Sequence, residues 1–273
     1  MTRIATRWAL LLEYDGTSFV GWQRQATGLS IQEVLENAAS RLNGGAAATS
    51  IVAGRTDAGV HAAGQVAHID LELPHQPRAV RDALNFHMKP HPVVVLQAAP
   101  VPGDWSARFS ANRRSYSYRI LNRRSRPALC AGHVWHVAAP LDAGAMHAAA
   151  QRLLGRHDFS SFRASSCQAK SPLRTLDRLD VIRSGEHIEV IAEARSFLHH
   201  QVRNFVGTLK QIGEGRWPVE RISAILEAKN RAAAGPTAPP EGLTLTSVGY
   251  PASPFEGQGL SIIASDARVM PIA

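Results

Sequence analysis

The segment Ala53-Gly54-Arg55-Thr56-Asp57-Ala58-Gly59-Val60-His61 carries one carboxylate between two glycines, with a guanidinium two positions before it. Gly54 and Gly59 permit a tight loop and a close approach of backbone to a ligand. A carboxylate held in such a loop can act as a nucleophile or a base. It is equally an ordinary turn residue that bonds its own backbone. A phosphate-cradling loop is excluded, because the Gly-Lys-Ser/Thr ending is absent. Cys130, His133 and His136 lie close in sequence, but no further ligand cluster accompanies them and no metal site is expected.

The surrounding elements must position that loop. Trp8 to Tyr14 reads as a buried strand, followed by Asp15-Gly16-Thr17-Ser18 and Gly21-Trp22-Gln23-Arg24-Gln25. Ser30 opens a helix with Glu33 completing a capping box, its stripe is Ile31, Val34, Leu35, Ala38 and Leu42, and Gly44-Gly45 ends it. Gln65 to Leu73 alternates as a half-buried strand, Arg78 to Phe86 reads as a helix and Val93 to Ala98 as a strand. Ser115 to Leu121 forms a strand with Tyr116, Tyr118 and Ile120 on one face. A helix through Met146 and Leu153 is closed by Gly155, and a hairpin joins Leu176–Arg183 to His187–Ala194 through Ser184-Gly185. A long helix covers Leu198 to Ile212, another follows Pro218, and Leu243 to Tyr250 is a late strand; after Pro251 the chain reads as irregular. Mixed strands and helices indicate α+β, with a boundary near Pro102 to Ser106.

The 273 residues are 45% hydrophobic, enough for a sizeable core, and only 19% charged, too few for general disorder. Lys plus Arg is 30 against 22 Asp plus Glu, a net charge of +8 with arginine dominant. That balance favours a polyanionic partner such as nucleic acid, or else a solvated basic surface. Two cysteines make no disulfide framework and fit a reducing cytoplasm. The apolar run near the start is interrupted by Glu13 and Asp15, too short to span a bilayer, so no membrane association is expected.

Six blocks, in order from about residue 8 to 250, resemble the TruA family of tRNA pseudouridine synthases. They are Tyr14-Asp15-Gly16-Thr17 with Gly21-Trp22-Gln23, then Gly54 to Ala62, then Ala107-Arg108-Phe109-Ser110-Ala111 with Tyr116. Asp158-Phe159 with Ser161-Phe162-Arg163, His199-His200-Gln201-Val202-Arg203-Asn204 and Pro239-Pro240-Glu241-Gly242-Leu243 complete the set. The resemblance implies two ferredoxin-like halves, residues 1–104 and 105–273, forming a continuous antiparallel sheet. Helices would cover one side and a basic active-site cleft the other. It implies a cytoplasmic homodimer that converts uridine to pseudouridine at positions 38, 39 and 40 of the tRNA anticodon stem-loop, without a cofactor or a metal.

By the same resemblance Asp57 is the catalytic nucleophile, attacking either the sugar or the base, and Arg203 is its basic partner. An adjacent guanidinium favours the ionised carboxylate. Tyr116, or Tyr118 on the same strand face, would stack on the uracil, and Leu243 would pack against it. Arg55 would take part in base flipping. Arg108, Arg124, Gln168 and Lys170 would contact RNA, and Arg24 is an electrostatic candidate for the same. His199 and His200 are expected as helix neighbours pointing in different directions, structural or RNA-facing. Two other readings remain: a non-catalytic RNA-binding protein on the same scaffold, and a metal-independent hydrolase with Asp57 as base. The hydrolase lacks a visible second carboxylate.

Overall fold

A computed structural model describes residues 5–255. The chain forms β1 (Thr6–Tyr14), α1 (Ile31–Leu42), β2 (Ser50–Val52), β3 (His61–Leu71), α2 (Pro77–Met88), β4 (Val93–Val101) and β5 (Arg113–Leu121). It continues through β6 (Trp135–His136), α3 (Ala143–Gln151), β7 (Gly155–Asp158), β8 (Leu173–Ser184), β9 (His187–Ala194), α4 (Gln201–Gly213), α5 (Arg221–Ala228) and β10 (Leu243–Gly249). This is a mixed α/β chain built on one ten-stranded open sheet, ordered β4-β1-β3-β10-β5-β9-β8-β7, with β2 added to β3 and β6 to β5.

The sheet is not antiparallel throughout, as the sequence reading had it. β10 joins β3 in parallel through Thr244–His61 and Leu245–Ala62, and β6 joins β5 in parallel. β10 is the last strand and pairs antiparallel with β5 on its other edge. It therefore runs alongside β3 only as a short parallel seam. That seam lies immediately after the Asp57 loop, which occupies residues 53–60 between β2 and β3.

Periodicity explains most elements. The α1 stripe Ile31, Val34, Leu35, Ala38 and Leu42 is buried, and the Ser30 hydroxyl accepts from the Glu33 amide at 3.2 Å. Along β9 the buried residues alternate as Ile188, Val190, Ala192 and Ala194. The buried faces of all five α-helices share one continuous core with the sheet. Burying such apolar faces is the main favourable term holding the layers together, about 25 cal/mol per Å2 removed from water.

Three local expectations differ. β3 is buried on both faces along most of its length, not one: Gln65, Ala67 and Ile69 are buried on one face, Val66 and His68 on the other. The second face is covered by the turn around Ala107 and by Phe255, which pack on Ala9, Ala53, Val66 and Ala99. There the Ala107 amide donates to His68 Nδ1 at 3.0 Å, so the buried His68 is satisfied in the interior, while Asp70 stays partly exposed beside Arg7. Gly155 does not close α3; the helix ends at Gln151, and Gly155, at φ +95°, starts β7. The hairpin turn is Gly185-Glu186, with Ser184 still paired to His187. Of the segment after Pro251, only residues to Phe255 are among those described.

Candidate active site

The Asp57 loop is pinned on both sides of the carboxylate. The Tyr14 hydroxyl lies 2.8 Å from Thr56 Oγ1, and Gln65 Nε2 donates both to that hydroxyl at 3.2 Å and to Gly54 O at 2.8 Å. The Trp22 amide donates to Thr56 O at 3.0 Å and the Val60 amide to Asp57 O at 3.1 Å. Burial pushes the Tyr14 phenol up to about 12, so it remains a neutral hydrogen-bonding group. Gly21, at φ +103°, lets the neighbouring loop press against this one; a Cβ there would fall 2.7 Å from Thr56 O and 3.0 Å from the Asp57 carbonyl carbon. The bonds fix the backbone on either side of Asp57 and leave its side chain partly exposed.

Across the seam, Arg203 in the first turn of α4 reaches that side chain. Its Nη1 lies 3.0 Å from Asp57 Oδ2, and its Nε donates to Ala238 O at 2.8 Å. The pairing is mostly buried, with 12% of the Arg203 and 20% of the Asp57 side chain exposed. Two more groups meet the carboxylate: His199 Nε2 at 3.2 Å from Oδ1 and His200 Nε2 at 3.3 Å from Oδ2.

That contact corrects the sequence reading of both histidines. They are not helix neighbours facing different ways. α4 begins at Gln201, and His200 precedes it in the left-handed region at φ 61°, ψ 7°. The Leu198 amide donates to Gln201 Oε1 at 2.7 Å, closing a turn that delays the helix. The two imidazoles then stack at 3.9 Å and address the same carboxylate. Burial lowers the His200 imidazole below its usual range, aided by His199, Arg203 and Arg231 and opposed by Asp57.

Asp57 opens into a cavity of about 1260 Å3. Of the sequence candidates, Arg55, Arg108, Tyr116, Gln168, Arg203 and Leu243 line it with Asp57. Arg24, Arg124 and Lys170 are exposed and lie outside its lining. Arg24 reaches Glu36 at 3.4 Å instead. Arg114, Arg174 and Arg195, none of which the sequence singled out, add three guanidinium groups to the wall. Among the described residues, Asp57 is the one carboxylate in the lining.

The two tyrosines separate cleanly. Tyr116 lines the cavity, packs edge-on against Phe197 at 5.3 Å, and makes no protein hydrogen bond through its hydroxyl among the described residues. Burial first, then Tyr14 and Asp57, push its phenol up. Tyr118 is fully buried, donates to Pro239 O at 2.7 Å and packs under Gly242.

Arg114 is a further residue that the sequence reading missed. Its Nη2 donates to Ala53 O at 2.7 Å and Arg108 O at 2.8 Å, while Nη1 donates to Arg195 O at 2.7 Å and Ala111 O at 3.1 Å. One guanidinium thus gathers the root of the Asp57 loop, the Arg108 turn and the chain beyond β9. Strand alternation was the available signal, because positions 114, 116 and 118 share a face.

Among the described residues, two sets of side chains have metal-ligand spacing, Asp57–His199–His200 and Asp15–His61–His133. In the first, the Arg203 cation already sits 3.0 Å from Oδ2, which opposes a dication. In the second, His61 Nδ1 accepts from the Gly16 amide at 3.1 Å, and Asp15 Oδ1 accepts from the Thr17 amide and hydroxyl. His61 Nε2 then faces the carbonyls of Gly132 and Glu241, a neutral Nε2–H imidazole in keeping with the downward shift that burial imposes. His136 bonds Arg123 O, away from Cys130.

The chain matches the family model described as tRNA pseudouridine synthase over residues 11–110 and 149–251. It is 70% identical to tRNA pseudouridine synthase A of Acidiphilium cryptum over 250 residues, covering 91% of this chain and 98% of that protein. It is 58% identical to the protein of that name from Gluconobacter oxydans, covering 91% of each chain. The corresponding protein of Rhodospirillum centenum is 60% identical, over 89% of this chain and 99% of that one. With the loop, cavity and ordered blocks all in place, the chain belongs to the tRNA pseudouridine synthase family.

Proposed function

We propose that this chain isomerises uridine to pseudouridine in tRNA, with Asp57 as the nucleophile, and that its targets are positions 38, 39 and 40 of the anticodon stem-loop. The observation that carries the reading is the Asp57–Arg203 pair, at 3.0 Å, in a cavity lined by further arginines and, among the described residues, no second carboxylate. In the reaction the N1–C1′ bond breaks and a C5–C1′ bond forms. C5 gives up a proton and N1 gains one, so atoms and electrons balance within the nucleotide and no cofactor is required.

Arg203 stabilises the carboxylate for attack and holds it toward the cavity. The Tyr116 ring supplies a face for the detached uracil and Leu243 an apolar wall beside it. The target nucleotide must leave its stack to reach them, and Arg55, exposed at the loop, fills the vacated space. Arg108 and Gln168 contact RNA at the cavity, making the face a basic cleft. Arg124, Lys170 and Arg24 meet phosphates farther along the molecule. A protein that only bound RNA would gain nothing from a carboxylate among these cations, since like charge repels the backbone. The wider organisation follows the same reading: two ferredoxin-like halves, residues 1–104 and 105–273, and a homodimer working in the cytoplasm. No helix of the described residues is long and apolar enough to cross a membrane.

The test is to incubate purified protein with unmodified tRNA, no metal added, and to map pseudouridine by position. Modification at 38 to 40 is expected; none there would overturn the assignment.

A further inference from the structure

We propose that His199 and His200 are positioning residues for the reaction: a stacked imidazole pair that, with Arg203, fixes both carboxylate oxygens of Asp57 in the attacking orientation. The inference rests on the proposed function and deepens it.

The geometry is specific. Asp57 Oδ1 has one charged or polar side-chain neighbour at hydrogen-bond range, His199 Nε2 at 3.2 Å; Oδ2 has two, Arg203 Nη1 at 3.0 Å and His200 Nε2 at 3.3 Å. Each Nε2 stands at ion-pair distance from a carboxylate oxygen, which can only accept, so the Nε2–H tautomer is the one that suits both contacts. The His199 ring is held at its far side, where Nδ1 lies 3.2 Å from Ser166 Oγ and accepts from that hydroxyl. Arg203 alone fixes one oxygen and leaves the carboxylate free to rotate about its Cβ–Cγ bond. His199 removes that freedom by holding the other oxygen.

The backbone shows that this arrangement is imposed. His200 has φ 61° and ψ 7°, a left-handed conformation that L residues other than glycine adopt only at an energetic cost. An ordinary helical start at this position would carry the His200 ring away from its stacking partner. The left-handed residue brings the two ring centroids to 3.9 Å with their planes tilted by 43°, and both Nε2 atoms beside one carboxylate.

The pair also sets a direction for pH. His200 faces Asp57, His199, Arg203 and Arg231; His199 faces Asp57, His200 and Ser166. Burial and three basic neighbours lower the His200 imidazole below its usual range, so His200 works in the neutral form. Protonation in acid places a second full positive charge 3.3 Å from Asp57 Oδ2, beside that of Arg203, and the tighter pairing holds the carboxylate back from attack. Turnover should therefore fall below the usual imidazole range, for a reason separate from protonation of Asp57.

The experiment compares full-length wild type, His199→Gln, His199→Leu, His200→Gly and Asp57→Asn in single-turnover and steady-state assays on unmodified tRNA, from pH 5 to 8. Gln keeps an N–H near the position of Nε2, whereas Leu has none; Gly suits the left-handed backbone while removing the ring. Expected for His199→Leu is a fall in kcat of about ten- to a hundred-fold with KM for tRNA within about two-fold, largely restored in His199→Gln. In His200→Gly the acid limb of kcat should move to lower pH. Melting curves identify any variant that fails to fold, and the His200→Gly pH profile then decides alone. If wild type forms pseudouridine, Asp57→Asn does not, and His199→Leu matches wild type with an unmoved acid limb in His200→Gly, the positioning role is overturned. If wild type forms no pseudouridine, the functional assignment itself fails.

Discussion

The Arg203 guanidinium lies 3.0 Å from the Asp57 carboxylate across 146 residues of chain, and its Nε is committed to Ala238 O. The two bonds leave the planar group in different directions. A lysine has one point charge and cannot make both. Arg203→Lys should lower kcat by about ten- to a hundred-fold, with a smaller effect on tRNA binding. Steady-state kinetics beside a binding titration would check this; equal losses in both would assign Arg203 to RNA binding alone.

Gly21 and the Asp57 loop are in direct backbone contact. Gly21→Ala places a Cβ 2.7 Å from Thr56 O at a φ of +103°, so the loop must shift and the new residue is strained. The expected loss is about 1–3 kcal/mol of stability together with most of the activity, read by thermal melting and pseudouridine yield.

Tyr116 and Tyr118 share a strand face but have different hydroxyl environments. Tyr118→Phe deletes a bond to Pro239 O and should cost about 1 kcal/mol of stability, leaving turnover close to wild type. Tyr116→Phe deletes no protein hydrogen bond and should leave the melting temperature unchanged; it should lower kcat if, beyond its stacking face, the Tyr116 hydroxyl assists removal of the C5 proton. The reverse pattern would exchange their roles.

Arg108 and Arg114 both line the cavity, yet only one is free to meet phosphate. Arg108→Ala should weaken tRNA binding and flatten the slope of log K against log salt by about 0.7–0.9. Arg114→Met should instead lower the melting temperature, because four carbonyls lose their donor. An unchanged salt slope in Arg108→Ala would remove it from the interface.

His61 and His68 are buried and both lie below the usual imidazole range, burial being the first cause in each. The folded state therefore binds fewer protons than the unfolded state just below pH 6.5. Stability is fully present above that value and is lost as pH falls through the lowered folded pKa values. The melting temperature should drop between pH 7 and 5. His68→Asn, which keeps an acceptor for the Ala107 amide, should make that slope shallower.

Much of this was legible in the residues. The α1 stripe and its Ser30 cap, the β8–β9 hairpin and the buried Trp8–Tyr14 strand follow from periodicity and capping chemistry. The segment carrying Asp57 was visible because glycines flank a lone carboxylate. Other features were hidden because they depend on distant chain. Nothing local at His200 announces a left-handed residue; that conformation follows from Gln201 capping Leu198 and from a carboxylate 143 positions away. His68 of β3 looked solvent-facing, since the turn at Ala107 that covers it lies beyond the strand. The parallel seam of β10 on β3 could not be read from alternation, which specifies a face and not a neighbour.

The most direct test of the central claim is Asp57→Asn, which keeps the size of the side chain and removes its negative charge. The variant should bind unmodified tRNA with near wild-type affinity and form no pseudouridine. Pseudouridine at the wild-type rate in Asp57→Asn would contradict the account.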